Sequence, residues 1–186
     1  MTAGRWLGLL LLLFAAAVMG EEEDSGFRIV RAELVPAGEI YVLNADIDYR
    51  FSEPVIEALE NGVPLTLVLR FKIKRQRGWW LDETVFSEKR IFRIRYHPLA
   101  RSYQILSETS GIPQNYTSLS TLLSAMGEIR GWRALPVGSL NPDEDYFAAL
   151  TVALDLEALP LPLRPMAYVS PSWYLGSPWF EWPVAD

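Results

Sequence analysis

Hydrophobic and polar residues alternate along much of the chain, and the period of that alternation predicts its elements. From Ile40 to Phe51, Tyr41, Leu43, Ala45, Ile47, Tyr49 and Phe51 fall on one face. Asn44, Asp46, Asp48 and Arg50 fall on the other, the signature of a half-buried strand. Phe27 to Val35 alternates more loosely and is closed by Pro36-Ala37-Gly38. Leu65, Leu67, Leu69, Phe71 and Ile73 point one way along a further strand, with Thr66, Val68, Arg70, Lys72 and Lys74 opposite. Arg75 to Gly78 reads as a turn. Val85 to Tyr96 is another strand region, placing Phe92, Ile94 and Tyr96 against Arg93 and Arg95, and His97-Pro98 ends it. Arg101 to Glu108 and Tyr146 to Leu156 complete the strands.

Two segments change period. Ser52 is a candidate N-cap, Pro54 sits in a first turn, and Val55, Ile56 and Leu59 follow at helical spacing before Asn61-Gly62 stops the run. A helix of about two turns is not stable alone and must pack on the sheet. Thr117 to Ile129 carries Leu119, Leu122, Leu123, Met126 and Ile129 on one stripe, which predicts a second helix. Gly111 to Asn115 reads as a loop. Pro160, Pro162, Pro165 and Pro171 forbid a long regular element near the end.

Several antiparallel strands with two short helical insertions predict a mainly β fold. The expected form is an antiparallel β-sandwich, immunoglobulin-like in general architecture, because each sheet must bury its apolar face against another layer. A transmembrane β-barrel shares the alternation, but two helix-like segments and a proline-spaced tail sit badly with it.

The first twenty residues follow a different logic. Arg5 precedes an apolar run from Leu7 to Val18, broken only by Gly8, and Glu21-Glu22-Glu23-Asp24 follows. A charged start, a short apolar stretch and small residues before a polar boundary make up a secretory signal. The run is too short for a membrane-spanning helix of about 20 residues. Residues 1–20 are therefore expected to be a cleavable signal peptide, cut after Gly20 or Ala17 unless it is retained. Residues 21–26 are expected to be an acidic disordered start and 27–184 a single domain.

At 186 residues the chain has room for one domain of ordinary size. With no cysteine, disulfides, thiolate metal sites and cysteine nucleophiles are excluded, and one histidine excludes any site needing two imidazoles. A net charge of −6 argues against a nucleic-acid binder, whose surface is usually basic. An exported domain without disulfides fits a bacterial periplasm.

The largest charge feature is the outward strand face of Arg70, Lys72 and Lys74, continued by Arg75, Arg77, Arg93 and Arg95. Like charges on one sheet face repel. The face is therefore either an anion site, for a lipid headgroup, a phosphate or an acidic partner, or a solvated surface whose charge is offset by Asp46 and Asp48 on a neighbouring strand. Asp46 and Asp48 share a face about 7 Å apart, but carboxylates beside several cations are held ionised and make a poor acid–base pair. Asp143-Glu144-Asp145 lacks the spacing and glycine of a calcium loop. His97 has no Gly-x-Ser-x-Gly elbow to serve. Trp79 and Trp80 follow a glycine turn; if that turn is extended, one ring is core and the other open to a partner or covered by the tail.

The segment from Phe51 to Glu83 combines a short helix ending in Asn-Gly, a long basic strand and a Gly-Trp-Trp turn, and Trp179-Phe180-Glu181-Trp182 lies near the end. In these features the chain resembles the proteobacterial domain-of-unknown-function family 4390, over about residues 27 to 184. The resemblance implies an exported bacterial protein and brings no catalytic or binding residues with it. It also implies genes often placed beside a membrane histidine kinase of the nitrogen-regulation type, hence a role accessory to a membrane sensor kinase.

The expectation is a periplasmic, non-enzymatic binding or interaction protein of the bacterial envelope, with no cofactor, no metal, no nucleic acid and no span after signal cleavage. Its partner would be an envelope protein or membrane surface meeting Arg70, Lys72, Lys74, Trp79, Trp80, Arg93 and Arg95. The alternatives are a small ligand or glycan in a tryptophan-lined cleft, and hydrolysis by facing carboxylates. Oligomeric state is left open.

Overall fold

The computed structural model describes residues 25–78 and 81–184. The expected signal peptide and the Trp79-Trp80 pair lie outside the described residues. Two antiparallel sheets stack around one core. Strands β1 (Gly26–Ala37), β2 (Ile40–Arg50) and β7 (Glu128–Pro136) form the smaller sheet in the order β1-β2-β7. The larger sheet has the order β6-β5-β4-β3-β8-β9. It comprises β3 (Leu65–Arg75), β4 (Glu83–His97), β5 (Ser102–Ser107), β6 (Pro113–Tyr116), β8 (Tyr146–Leu154) and β9 (Phe180–Pro183). This is a mainly β fold consistent with the expected sandwich.

The alternation read from the chain becomes the core. Tyr41, Leu43, Ala45, Ile47 and Tyr49 all face inward on β2, and Leu65, Leu67, Leu69, Phe71 and Ile73 are fully buried on β3. Phe71 sits at the centre of an aromatic cluster, its ring 5.8 Å from Trp132, 5.7 Å from Phe86 and 6.2 Å from Trp182. The outer sides of Val68 and Thr66 are also buried, as are Ala149 and Thr151 on β8. There the chain beyond Ser170 folds back along β8, where Thr151 Oγ1 donates to the Ser177 carbonyl at 3.0 Å and Leu154 N–H to the Leu175 carbonyl at 2.8 Å.

Helix α1 (Glu53–Glu60) forms where expected and seats Val55 and Leu59 in the core. Ser52 occupies the N-cap position, but its hydroxyl donates to the Ser172 carbonyl at 2.6 Å, tying the helix start to the C-terminal segment. Helix α2 (Leu119–Gly127) is capped by Ser118, which accepts from the Thr121 N–H. It stops two residues short of the expected Ile129. The chain turns into strand β7 at Glu128, an element the alternation did not predict. The reason is in the register. Val42 pairs with Arg133 while Ile40 pairs with Pro136, and Leu43 pairs with Trp132 while Ala45 pairs with Ile129. Each step inserts one extra residue into β7, a bulge, and Gly131 provides the positive φ of 63° at one of them. Ile129, Trp132 and Leu135 therefore face inward at intervals of three, which imitates a helix. The segment Gly111 to Asn115, expected to be a loop, instead contributes most of the short edge strand β6. A third helix, α3 (Arg164–Val169), is confined to six residues among the prolines.

Candidate functional site

Strands β3 and β4 pair antiparallel, with Thr66 opposite Arg93, Val68 opposite Ile91, Arg70 opposite Lys89 and Lys72 opposite Ser87. Side chains paired across a sheet share a face. Arg70, Lys72, Lys74, Arg93 and Arg95 thus lie together on the outer side of the large sheet, as the alternation required, and Lys89 joins them. Lys89 is not among the cations the sequence reading assigns to this face; its odd-numbered place in the series Arg95, Arg93, Ile91 is the local signal that puts it there. From Lys74 to Arg95 the cations span about ten residue steps, roughly 30 Å at 3.3 Å each.

The offset expected from Asp46 and Asp48 is not there. Both stand on β2, in the opposite sheet. Asp46 pairs with Arg130, and Asp48 sits 3.4 Å from Arg28 and 3.1 Å from Arg50. Period-two alternation fixes which face of a strand a residue takes, not which sheet the strand joins. This also removes the two aspartates as a carboxylate pair for acid–base work, since each already accepts from arginine.

Compensation on the basic face is partial and comes from other groups. Lys74 is 3.6 Å from Glu181 and lies over the Phe147 ring at 5.1 Å. Lys72 lies over the half-exposed Trp179 ring at 5.1 Å, a cation–π contact. Arg93 donates to Glu108 at 2.7 Å. Arg70, Lys89 and Arg95 are exposed and form no ion pair with any described residue. Arg70 and Lys89 are moreover directly opposite one another, two uncompensated cations in one cross-strand pair.

Arg75 and Arg77, read as continuing this face, are committed elsewhere. Arg75 donates to both oxygens of Glu144, at 2.7 and 2.8 Å, and also to Glu83, which Arg77 shares. Hydrogen bonding to Arg75 is the main cause holding the Glu83 and Glu144 carboxyls below their ordinary value. Asp143-Glu144-Asp145 is a turn, with the Asn141 side chain accepting from the Asp143 N–H. Among the described residues no cluster of three acidic or imidazole groups could hold a metal ion. No described helix is long and apolar enough to cross a membrane.

Of the described tryptophans, Trp132 and Trp173 are core and Trp179 is 44% exposed. The half-buried Trp182 lines an open cleft of about 740 Å³ with Tyr146, Phe147, Asp82, Glu144 and Glu181. Its ring is stacked at 14° on Phe71, so one of its faces belongs to the core.

No curated protein and no solved structure matches the chain. Residues 24–183 match the family described as Domain of unknown function (DUF4390). That span takes in both sheets and the basic face, and the chain belongs to the DUF4390 family.

Proposed function

We propose that this is an exported, non-enzymatic interaction protein of the bacterial envelope whose outer sheet face docks on an anionic, phosphate-bearing membrane surface. The observation that carries the reading is the Arg70–Lys89 pair. Like charges directly opposite on a sheet are destabilising, where an opposite-charge pair would contribute about 0.2–1 kcal/mol. A chain of net charge −6 has acidic residues to spare, yet it sets two cations there without a counter-charge. The face around them is an extended array of cations on two paired strands, an arrangement that suits a lipid headgroup plane. Trp179 at its margin supplies an amphipathic ring of the type favoured at such interfaces.

The expected strength follows from the charges. Six cations, less the two acids that pair with them, leave four. At about 1 kcal/mol each near an anionic surface, that gives about 4 kcal/mol, a weak and reversible association that salt would screen.

Sedimentation with vesicles tests it. The protein should pellet with vesicles of mixed phosphatidylglycerol and phosphatidylcholine, not with phosphatidylcholine alone, and should be released by raised salt. Reversal of Arg70 and Lys89 to Glu should abolish pelleting. Retention by neutral vesicles, or binding unchanged in the double reversal, would remove the reading. Capture of polyglutamate in preference to vesicles would transfer the face to an acidic protein partner.

A further inference from the structure

The large sheet has six strands and the small sheet three, so the inner face of β4, β5 and β6 extends beyond β7. Helix α2 covers part of it. The remainder is a cleft of about 210 Å³ floored by Phe92, Ile105 and Gln114 and walled by Met126 and Ile129, room for about seven water molecules. It is lined by one group out of place in a sandwich interior. Arg90 pairs with the fully buried Leu69 and therefore points inward.

The Arg90 guanidinium lies 4.2 Å over the Trp132 ring. Its Nε is buried with no hydrogen-bond partner, and it makes no hydrogen bond with any other described residue. The nearest carboxylate, Glu88, stands at 4.0 Å from Nε, the limit of an ion pair. Burial pulls Arg90 below its ordinary value, with Glu88 opposing only in part. Five N–H donors in a fixed fork are thus held half-buried and unused. Arg130, at the cleft margin, is by contrast fully engaged with Asp46 and with the carbonyls of Ala45 and Ile129. A second donor, Gln114, lines the same cleft from strand β6. Tyr116 donates to Gln114 Oε1 at 2.8 Å, which orients the Gln114 amide and leaves its NH₂ for another acceptor.

We infer that this cleft binds a small organic carboxylate, with the carboxylate on the Arg90 fork and the apolar body against Phe92, Ile105 and Met126, toward Gln114. The contact with the Trp132 ring restrains the guanidinium, so less freedom is lost when two parallel N–H···O bonds form. A monoanion fits one cation. A phosphate dianion would bring a second negative charge toward Glu88 and Glu128, with no second uncommitted cation among the described residues lining the cleft to meet it.

Sodium benzoate is a suitable probe, with benzamide as its neutral twin, read from the arginine Nε–H and glutamine side-chain signals in ¹H–¹⁵N spectra of the purified protein. Benzoate should shift the Arg90 Nε–H and Gln114 signals saturably, and benzamide should bind at least about tenfold more weakly, since a charge-assisted bond contributes about 1.5–3 kcal/mol. Arg90→Gln should weaken benzoate by a similar factor, whereas the Arg70/Lys89 reversal should leave it unchanged. Equal binding of benzoate and benzamide, no saturable shift in the wild-type protein, or tighter binding of inorganic phosphate than of benzoate would each overturn the assignment. Because those three readouts use the unmutated chain, a misfolded Arg90 variant does not protect it.

Discussion

Gly127 closes helix α2 against β2, and a methyl group there should cost the protein heavily. A Cβ on Gly127 would lie 2.3 Å from the Ile47 carbonyl oxygen and 3.4 Å from its carbon. Real Cβ atoms essentially never approach a heavy atom within 3.0 Å, so helix and strand must part by the better part of an ångström. The obstacle is backbone, which cannot rotate aside as a side chain can. Intrinsic propensity works the other way, favouring Ala over Gly by up to about 1 kcal/mol in a helix. Overpacking of a tight contact costs about 1–3 kcal/mol and occasionally more. The balance for Gly127→Ala is a loss of about 1–2 kcal/mol, which for a domain of this size lowers Tm by roughly 2–8 °C. Urea unfolding followed by circular dichroism measures it, with Gly138→Ala as the control. Gly138 has open space around its would-be Cβ and no positive φ, so that substitution should be neutral or slightly stabilising. A Gly127→Ala protein as stable as the wild type would refute the close packing of α2 on β2. Met126 and Ala125, which line the Arg90 cleft, would then be misplaced too.

Three other perturbations follow from the same contacts. Arg70→Glu places an opposite charge across from Lys89 and should raise stability by a few tenths of a kcal/mol while weakening vesicle binding; a destabilised variant would show that Arg70 is structural. Glu83 and Glu144 are held below their ordinary carboxylate value of 4.5, first of all by hydrogen bonds from Arg75. The stability they contribute is therefore complete above pH about 4.5 and lost as pH falls through their lowered native values. Arg75→Gln should flatten that acid-side loss in pH-dependent urea titrations, and an unchanged slope would deny the network its role. Phe71→Ala removes the ring shared by Trp132, Phe86 and Trp182 and should cost about 3–5 kcal/mol by thermal or urea unfolding; a cost below about 1 kcal/mol would contradict its central place.

Which parts of this were legible in the chain depends on what periodicity can carry. Strands β2 and β3 were readable almost residue by residue because both lie mid-sheet with one face wholly buried. Strand β7 was not, because two bulges space Ile129, Trp132 and Leu135 by three and the preceding helix runs into it without a break. The basic face was readable as a face, since side-chain direction on a strand is local. Its compensation was not, because whether Asp46 meets Lys72 depends on sheet membership, a long-range property. The inward position of Arg90 was available in principle: continuing the series Tyr96, Ile94, Phe92 backward reaches Arg90, Glu88 and Phe86. Two charges within an otherwise apolar series are the kind of local conflict that marks either an uncovered stretch of sheet or a site.

That conflict ties the two candidate surfaces to one cause. Three strands cannot cover six, so β4 is a strand whose inner side is core at Ile94 and open at Arg90. If Glu88 and Arg90 served only to keep an overhanging sheet soluble, they would be free to pair well with each other. Instead their nearest approach is 4.0 Å and Arg90 makes no hydrogen bond to a described residue, while Trp132 holds the guanidinium in place. Lys89 and Arg90 are neighbours on opposite faces of the same strand, which puts the proposed docking face and the proposed carboxylate cleft one strand's thickness apart. Proximity alone does not couple them, since coupling requires an element with two arrangements that both sites bias. Strand β4 is paired with β3 from Glu83 to Ile94 in a register fixed by the buried residues Leu65, Leu67, Leu69 and Phe71. A one-residue slip would turn every one of them outward. Vesicle binding and benzoate binding should therefore be additive, each unchanged by saturation of the other site, and a measured interdependence would mean that β4 moves against β3.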